Sequence, residues 1–435
     1  MKRRAVITGI GAVTPVGLGR EEFWKSLVSG RSGIRPITRF DASPFPVKMA
    51  GEVQDVETKR YMDARDARRL PLFAQYATAA ARMAAEDAGL NISSGRRIGS
   101  CFASSIGGVN ELLTNEVPAF EKHGPAGLDP RTPSTFGTHT ATSAVCQVLG
   151  LDGPKASISS GCTSGMDVVA WGRQQIELGT ADAVIVGCSD TSLIPFTFGV
   201  LCATHGISPD MPSPRPFDYR HNGSAISEAA GAVVIESMES ARQRSAPIYA
   251  EILGYGSAGE QGDFFRMPAG DAGETAIRRA LRDAGLAAED VDAVFPLAPG
   301  LPPLDVADAK AIIAALGEHA YHIPCPAIQS MLGHPLSAAS MMQVLAGSLA
   351  LKYQEAPPTI NYERADPECA LDCVPGRSRP SRLRRLLVFS RSLSRTCTVL
   401  ALGAPIHDTA TMAQFTGRGR LPAQNLRGQN ALTLR

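Results

Sequence analysis

Short apolar runs alternate with helix-patterned stretches along most of the chain, and this alternation constrains the fold more than any single residue. Strand-like runs are Ala5–Ile10, Ile98–Ala103, Ala156–Ser159, Ala183–Val186, Ala232–Glu236, Ile248–Leu253, Ala293–Pro296, Leu386–Phe389 and Thr398–Ala401. Helical patterns lie between them, at Arg68–Ala88, Met166–Leu178, Gly273–Ala284, Val306–Leu316 and Ala338–Lys352. Such alternation predicts α/β architecture. Several runs are apolar at every position, which predicts parallel strands covered on both faces. The 435 residues suffice for one large domain or two fused halves. The halves are expected at 1–250 and 251–405. From 406 the pattern fails, and Gly417-Arg418-Gly419-Arg420 with its polar surroundings predicts a disordered tail.

Charge is nearly balanced, 43 basic against 42 acidic residues, so composition gives no reason to expect nucleic acid or a membrane surface as partner. No run of eighteen apolar residues predicts a membrane span. Lys2-Arg3-Arg4 leads directly into strand-like Ala5-Val6-Ile7, without the apolar region of a signal peptide. Nine cysteines, an odd number without metal-ligand spacing, predict reduced thiols in a cytoplasmic protein. The pair Cys369 and Cys373 has no second pair or nearby histidine, which argues against zinc. Gly9-x-Gly11 lacks the third glycine of a dinucleotide site and reads as a turn after the first strand.

Chemistry concentrates at Cys162, within Ser157-Ile158-Ser159-Ser160-Gly161-Cys162-Thr163-Ser164-Gly165. This reads as strand, tight turn, nucleophile, helix. A thiol at a helix N-terminus has its thiolate favoured by the dipole and by unpaired backbone N–H groups. The glycines let a substrate carbonyl approach the backbone.

Around this motif, an ordered series of others runs over some 400 residues. Ala5-Val6-Ile7-Thr8-Gly9-Ile10-Gly11 opens it, followed by Thr14-Pro15-Val16-Gly17, Ser105-Ile106-Gly107-Gly108 and Pro133-Ser134-Thr135. Ser213-Pro214-Arg215-Pro216-Phe217-Asp218, Glu228-Ala229-Ala230-Gly231-Ala232 and Ser330-Met331-Leu332-Gly333-His334 complete it. The chain thus resembles the elongating β-ketoacyl-acyl carrier protein synthases. The resemblance implies a thiolase-like, duplicated αβαβα five-layer fold, although no repeat is visible by sequence identity. It implies no cofactor of the chain's own, and an acyl carrier protein whose phosphopantetheine arm brings the substrate. It also implies a nucleophile at Cys162 and an enolate-stabilising donor at His334.

Three further parts of that family's catalytic set are missing. The first histidine falls on Leu297 in Phe295-Pro296-Leu297-Ala298-Pro299-Gly300, with register anchored by Asp305-x-Ala307-Asp308-Ala309. Leucine cannot donate a hydrogen bond. The lysine is replaced by Gln329, and the glycine-rich loop by Arg391-Ser392-Leu393-Ser394-Arg395-Thr396. Leu297, Gln329 and Leu393 are then expected to face the substrate, with Phe196, Phe198 and Phe264-Phe265 along an acyl tunnel. All three losses fall on the decarboxylation side. The stretch from Val294 to Ala309 is similar to the chain-length factor, the β subunit of type II polyketide ketosynthases. The chain departs from that pattern in keeping Cys162.

Three readings follow from the resemblance. One is a chain-length-factor-like partner of an active ketosynthase α subunit, shaping the acyl tunnel. The other is a self-sufficient acyltransferase, with His334 assisting transfer from Cys162. A third is a condensing homodimer with a relocated donor, His319 or His322. Two basic clusters, Arg65, Arg68 and Arg69, and Arg382, Arg384 and Arg385, are either solvated faces or docking sites for an acidic carrier protein. Glu228 and Asp218 read as structural.

Overall fold

A computed structural model describes residues 3–405 except 55, 94, 205, 212 and 263–270. The expected tail and Phe264-Phe265 lie outside the described residues. The principal strands are β1 (Ala5–Thr14), β2 (Ile98–Ala103), β3 (Lys155–Ser157), β4 (Ala183–Asp190), β5 (Ala229–Ser237), β6 (Ala250–Gly259), β7 (Ala293–Pro296), β8 (Arg385–Arg391) and β9 (Thr396–Gly403). The principal helices are α1 (Leu72–Asp87), α2 (Thr140–Leu149), α3 (Ser164–Leu178), α4 (Pro195–Ala203), α5 (Ala272–Ala284), α6 (Pro302–Leu316) and α7 (Ala338–Tyr353).

The strands form one ten-stranded sheet ordered β7-β8-β9-β6-β1-β5-β4-β2-β3, with the two-residue strand Gly17–Leu18 beside β1. Its two sides repeat one plan. In the N-terminal half, β5 runs antiparallel to both β1 and β4, and β2 is parallel to β4 and β3. In the C-terminal half, β9 runs antiparallel to both β6 and β8, and β7 is parallel to β8. The halves meet where Val6 and Ile7 of β1 pair with Glu251 and Ala250 of β6. A duplication invisible in residue identity is therefore plain in topology.

Helices α1 and α2 pack on the outer face of the N-terminal strands, and α5 and α6 on that of the C-terminal strands. Between the halves lie α3 and α7. This is the thiolase-like five-layer α/β fold. Alternate residues on each strand feed different cores. Val184, Val186 and Cys188 of β4 enter the central core, while Ala183 and Ile185 enter the N-terminal outer one. On β8, Leu386 and Val388 face the central core, and Leu387 and Phe389 the C-terminal outer one. Both faces are covered, so the runs are apolar throughout. They do not require all-parallel pairing: the sheet is mixed, contrary to expectation, because β5 and β9 return antiparallel.

Two local expectations also change. The helix expected over Arg68–Ala88 is broken: a short helix, Ala64–Arg69, ends at an extended Leu70 before Pro71, and α1 starts at Leu72. Gly9 and Gly11 are not a turn but lie within β1. A Cβ on Gly11 would sit 1.9 Å from the Ala80 carbonyl oxygen of α1, so these glycines let the helix lie directly on the strand.

Candidate active site

After β3 the chain makes a single 3-10 turn, Gly161–Thr163, and enters α3 at Ser164. Gly161 has φ +70°, and a Cβ there would lie 2.4 Å from Ser392 Oγ, so conformation and close approach both require glycine. Ser164 Oγ donates to the Gly161 carbonyl at 2.6 Å and accepts from Ser160 N–H at 2.9 Å. Asp167 accepts from Ser160 Oγ, and from Tyr255 OH at 2.7 Å. The nucleophile turn is thus held from α3 and from β6.

Cys162 is 9% exposed. It lines a cavity of about 410 Å³ together with Leu297, His334, Arg391 and Leu393, and the remaining wall is mainly Leu201, Ile207, Leu301, Leu304 and Leu336. Leu297 packs against Cys162 and Ala339. At the position where a second histidine would donate, the sulfur therefore meets an apolar side chain. Leu393 is half-exposed.

Burial pushes the Cys162 thiol up to about 11, and the charge of Asp190 adds to the effect. The N–H groups of Leu393 and Cys162 and the hydroxyl of Ser392 oppose the shift without cancelling it. The expected thiolate-favouring turn is corrected here, because desolvation outweighs the helix terminus. A thiol with a raised pKa stays neutral below it. Alkylation of Cys162 by iodoacetamide is therefore expected to rise about tenfold per pH unit from 7.5 to 10 without a plateau. A plateau below pH 9, read by intact mass, would contradict the desolvated thiol.

His334 is partly exposed, and burial lowers it to about 4, so it is neutral at physiological pH. Its Nδ1 accepts from the Leu336 N–H at 3.1 Å, which leaves the proton on Nε2. The ring can donate one hydrogen bond through that nitrogen. The His334 N–H donates to the Ala225 carbonyl at 2.7 Å, and Ser227 N–H donates to the His334 carbonyl at 3.3 Å, fixing the backbone on both sides.

Cys162, His334, Leu297 and Leu393 converge on this cavity. Three other expected site residues do not. Phe196 is 61% exposed on α4 and stands at the surface. Phe198, two positions on, is fully buried behind the wall with Phe40, Phe45, Ile207 and Ile226, because two residues of helix turn the side chain to the opposite face. Gln329 is fully buried outside the cavity lining, and neither amide atom has a hydrogen-bond partner among the described residues. His319 Nε2–H donates to the Val291 carbonyl at 2.7 Å, and His322 is exposed; neither lines the cavity. Sequence reasoning missed Arg391 as a wall residue, having read it only as part of a replaced loop. Asp190 was also missed. This buried carboxylate accepts from Ser105 N–H at 2.9 Å and Ser337 N–H at 2.8 Å, joining the loop after β2 to the start of α7.

Comparison with known proteins decides the family. A model of the β-ketoacyl synthase N-terminal domain matches residues 2–241, and one of the C-terminal domain matches residues 249–363. The chain belongs to the β-ketoacyl synthase family. It is 35% identical to 3-oxoacyl-[acyl-carrier-protein] synthase 2 of Coxiella burnetii, over 92% of this chain and 98% of that one. Among solved structures it resembles the ishigamide ketosynthase/chain length factor, with a TM-score of 0.86 and 32% identity over 93% of this chain and all of that one. It also resembles a type II polyketide synthase acyl-carrier protein complex with its ketosynthase bound to the hexaketide, at TM-score 0.85, 30% identity and the same coverage. The chain is thus a ketosynthase-family protein of the type II polyketide kind. Among the described residues no helix is long and apolar enough to cross a membrane.

Proposed function

We propose that this β-ketoacyl synthase homologue is the chain-length-setting partner of a catalytically complete ketosynthase. The observation that carries the reading is Leu297, seated against Cys162 where the family's first histidine would donate. An enolate forming there has the His334 Nε2–H but meets Leu297 where the family's first histidine would donate, and the lysine position holds Gln329, buried outside the cavity lining. The likeness to a ketosynthase/chain length factor supports the same role.

The surface supports two partners. Val117, Phe120, Leu128 and Phe136 are exposed along one segment, and Phe196 and Val200 along α4, an apolar area of the kind an obligate subunit interface covers. Arg65, Arg68 and Arg69 are exposed around one short helix, and none has an ion-pair partner among the described residues. They suit an acidic acyl carrier protein, whose phosphopantetheine arm would enter the cavity beside Leu393. By contrast, Arg385 pairs with Asp290 at 2.6 Å and serves the fold.

Co-expression with a ketosynthase carrying the cysteine and both histidines is expected to give a stable 1:1 heterodimer, seen by native mass spectrometry. In that heterodimer Leu304→Ala, on the cavity wall, is expected to lengthen products. A soluble homodimer with full elongating activity would overturn the reading. The acyltransferase reading is favoured by one observation, the intact nucleophile turn with two amides facing Cys162.

A further inference from the structure

The first turn of α6 is a partition between two spaces. On one side Leu301 and Leu304 line the cavity that holds Cys162. On the other, Pro302, Pro303 and Val306 line a separate cleft of about 370 Å³, together with His221, Asp366 and the exposed Lys310 and Glu368. The His221 side chain is 4% exposed and sits between two carboxylates. Its Nδ1 lies 2.9 Å from Asp305 Oδ2, and its Nε2 lies 3.2 Å from Asp366 Oδ2. An ionised carboxylate only accepts, so both ring nitrogens must carry a proton to satisfy both contacts. The imidazolium then ties together three segments that are distant in sequence. Asp305 passes the restraint on. It accepts the Gly300 N–H at 3.1 Å and the Phe217 N–H at 3.1 Å, and the Gly300 carbonyl accepts the Gly223 N–H at 2.9 Å. Gly300 precedes Leu301, so this part of the cavity wall hangs on the carboxylate that His221 holds.

The other charged groups around His221 are already engaged. Lys310 pairs with Glu368 at 2.7 Å across the cleft. Asp218, at the start of the same turn, accepts the N–H groups of Arg220, Glu363 and Arg364, and the Arg220 side chain pairs with Glu363. Asp308, one turn along α6, is taken by Arg391, whose Nε donates to it at 3.1 Å and whose Nη1 donates to Glu260 at 3.2 Å. Burial pushes the Cys369 thiol up, so it stays neutral. Burial raises the Asp305 carboxyl, while His221 and the Phe217 and Gly300 N–H groups oppose the shift. Burial also disfavours the charge on His221, but the hydrogen bonds and charges of Asp305 and Asp366 outweigh it and raise the imidazole above its ordinary value. The contact is therefore complete below the ordinary histidine range and is lost as pH rises through the raised value. A neutral ring keeps one N–H, and one of the two carboxylates then faces a lone pair.

We propose that His221, protonated on both nitrogens between Asp305 and Asp366, is a positioning residue that holds the Gly300–Leu304 wall, so that the room in the cavity beside Cys162 depends on pH. That this room sets product length rests on the partner role proposed above; the latch itself does not.

The test uses Cys162 as a reporter of the wall, in the full chain with its ketosynthase partner, by intact mass read on this chain. Iodoacetamide and its N-dodecyl derivative alkylate the same sulfur, so the ionisation of Cys162 cancels in the ratio of their rates. The dodecyl chain needs the space beside Leu301 and Leu304; the parent reagent does not. Only the adduct that Cys162→Ala removes is counted. The ratio of long to short reagent is expected to rise at least about threefold between about pH 6 and about pH 9, as a charged hydrogen bond to the wall is lost. His221→Arg, a cation throughout this range, is expected to hold the ratio at its low-pH value. Asp366→Asn removes one of the two charges that favour the imidazolium, and is expected to move the midpoint down by about one pH unit. Should His221→Arg fail to fold, Asp366→Asn, at a partly exposed carboxylate, still decides the matter. A histidine that only supports the fold would change stability without giving the ratio a pH dependence that these variants move. A flat ratio in the unmutated chain, the same rise in His221→Arg, or an unmoved midpoint in Asp366→Asn would overturn the proposal. No product is read, so failure here leaves the partner role to its own test with Leu304→Ala.

Discussion

Malonyl-carrier protein is expected to lose carbon dioxide on this chain at least about 10²-fold more slowly than on an elongating ketosynthase with both histidines. Decarboxylation leaves an enolate oxygen whose charge must be met by donors already in place. The cavity offers the His334 Nε2–H, whose tautomer is set by the Leu336 N–H. Opposite the sulfur it offers Leu297, which has no donor. Release of labelled carbon dioxide measures the rate. The corollary concerns the assembled enzyme. With chemistry carried by the partner, Cys162→Ala in this chain is expected to leave product formation within about threefold, against the orders of magnitude that loss of an essential nucleophile costs. Abolished turnover would make Cys162 essential and sink the partner role. It would favour the acyltransferase reading instead.

Phe198→Ala is expected to cost about 3–5 kcal/mol of stability, read from denaturant unfolding. The ring is fully buried and packs edge-on to Phe40 at 5.7 Å and Phe45 at 5.4 Å between centroids. It shares a cluster with Ile207 and Ile226, which form part of the cavity wall. Removing it opens a void behind that wall, so any change in product length would come with a weakened fold. Phe196→Ala, on the exposed face of the same helix, is expected to change stability by less than about 0.5 kcal/mol. Similar losses for the two variants would contradict the opposed placement of the two rings. The Leu304→Ala variant is the cleaner probe of chain length, since Leu304 lines the cavity itself.

Much of the site was legible in order along the chain. Each expected strand has its counterpart, because a run of about five apolar residues between turn signals can be satisfied only by burial on two faces. The turn at Cys162 was legible because glycine and small residues at fixed offsets leave few conformations. The replacement of a donor by Leu297 was legible from register alone. By contrast, α4 carries no one-sided apolar pattern, so nothing in its sequence separates Phe196 at the surface from Phe198 in the core.

The sequence by itself determined the alternation of elements, the nucleophile turn and the loss of the family's first histidine, because each is a local property of residue type and spacing. Tertiary structure alone decided what depends on encounters between distant segments. Burial among β8, α7 and the loop after β7 raises the Cys162 thiol, against the helix terminus that favours its ionisation. The clasp of Arg391 by Asp308, 83 residues away, and by Glu260, 131 residues away, exists only because α6 and the end of β6 pack beside the β8–β9 hairpin. A single chain position carries no record of such neighbours. Solvation and charge pairing are set by whatever surrounds a group in space, and that is fixed only when the layers close.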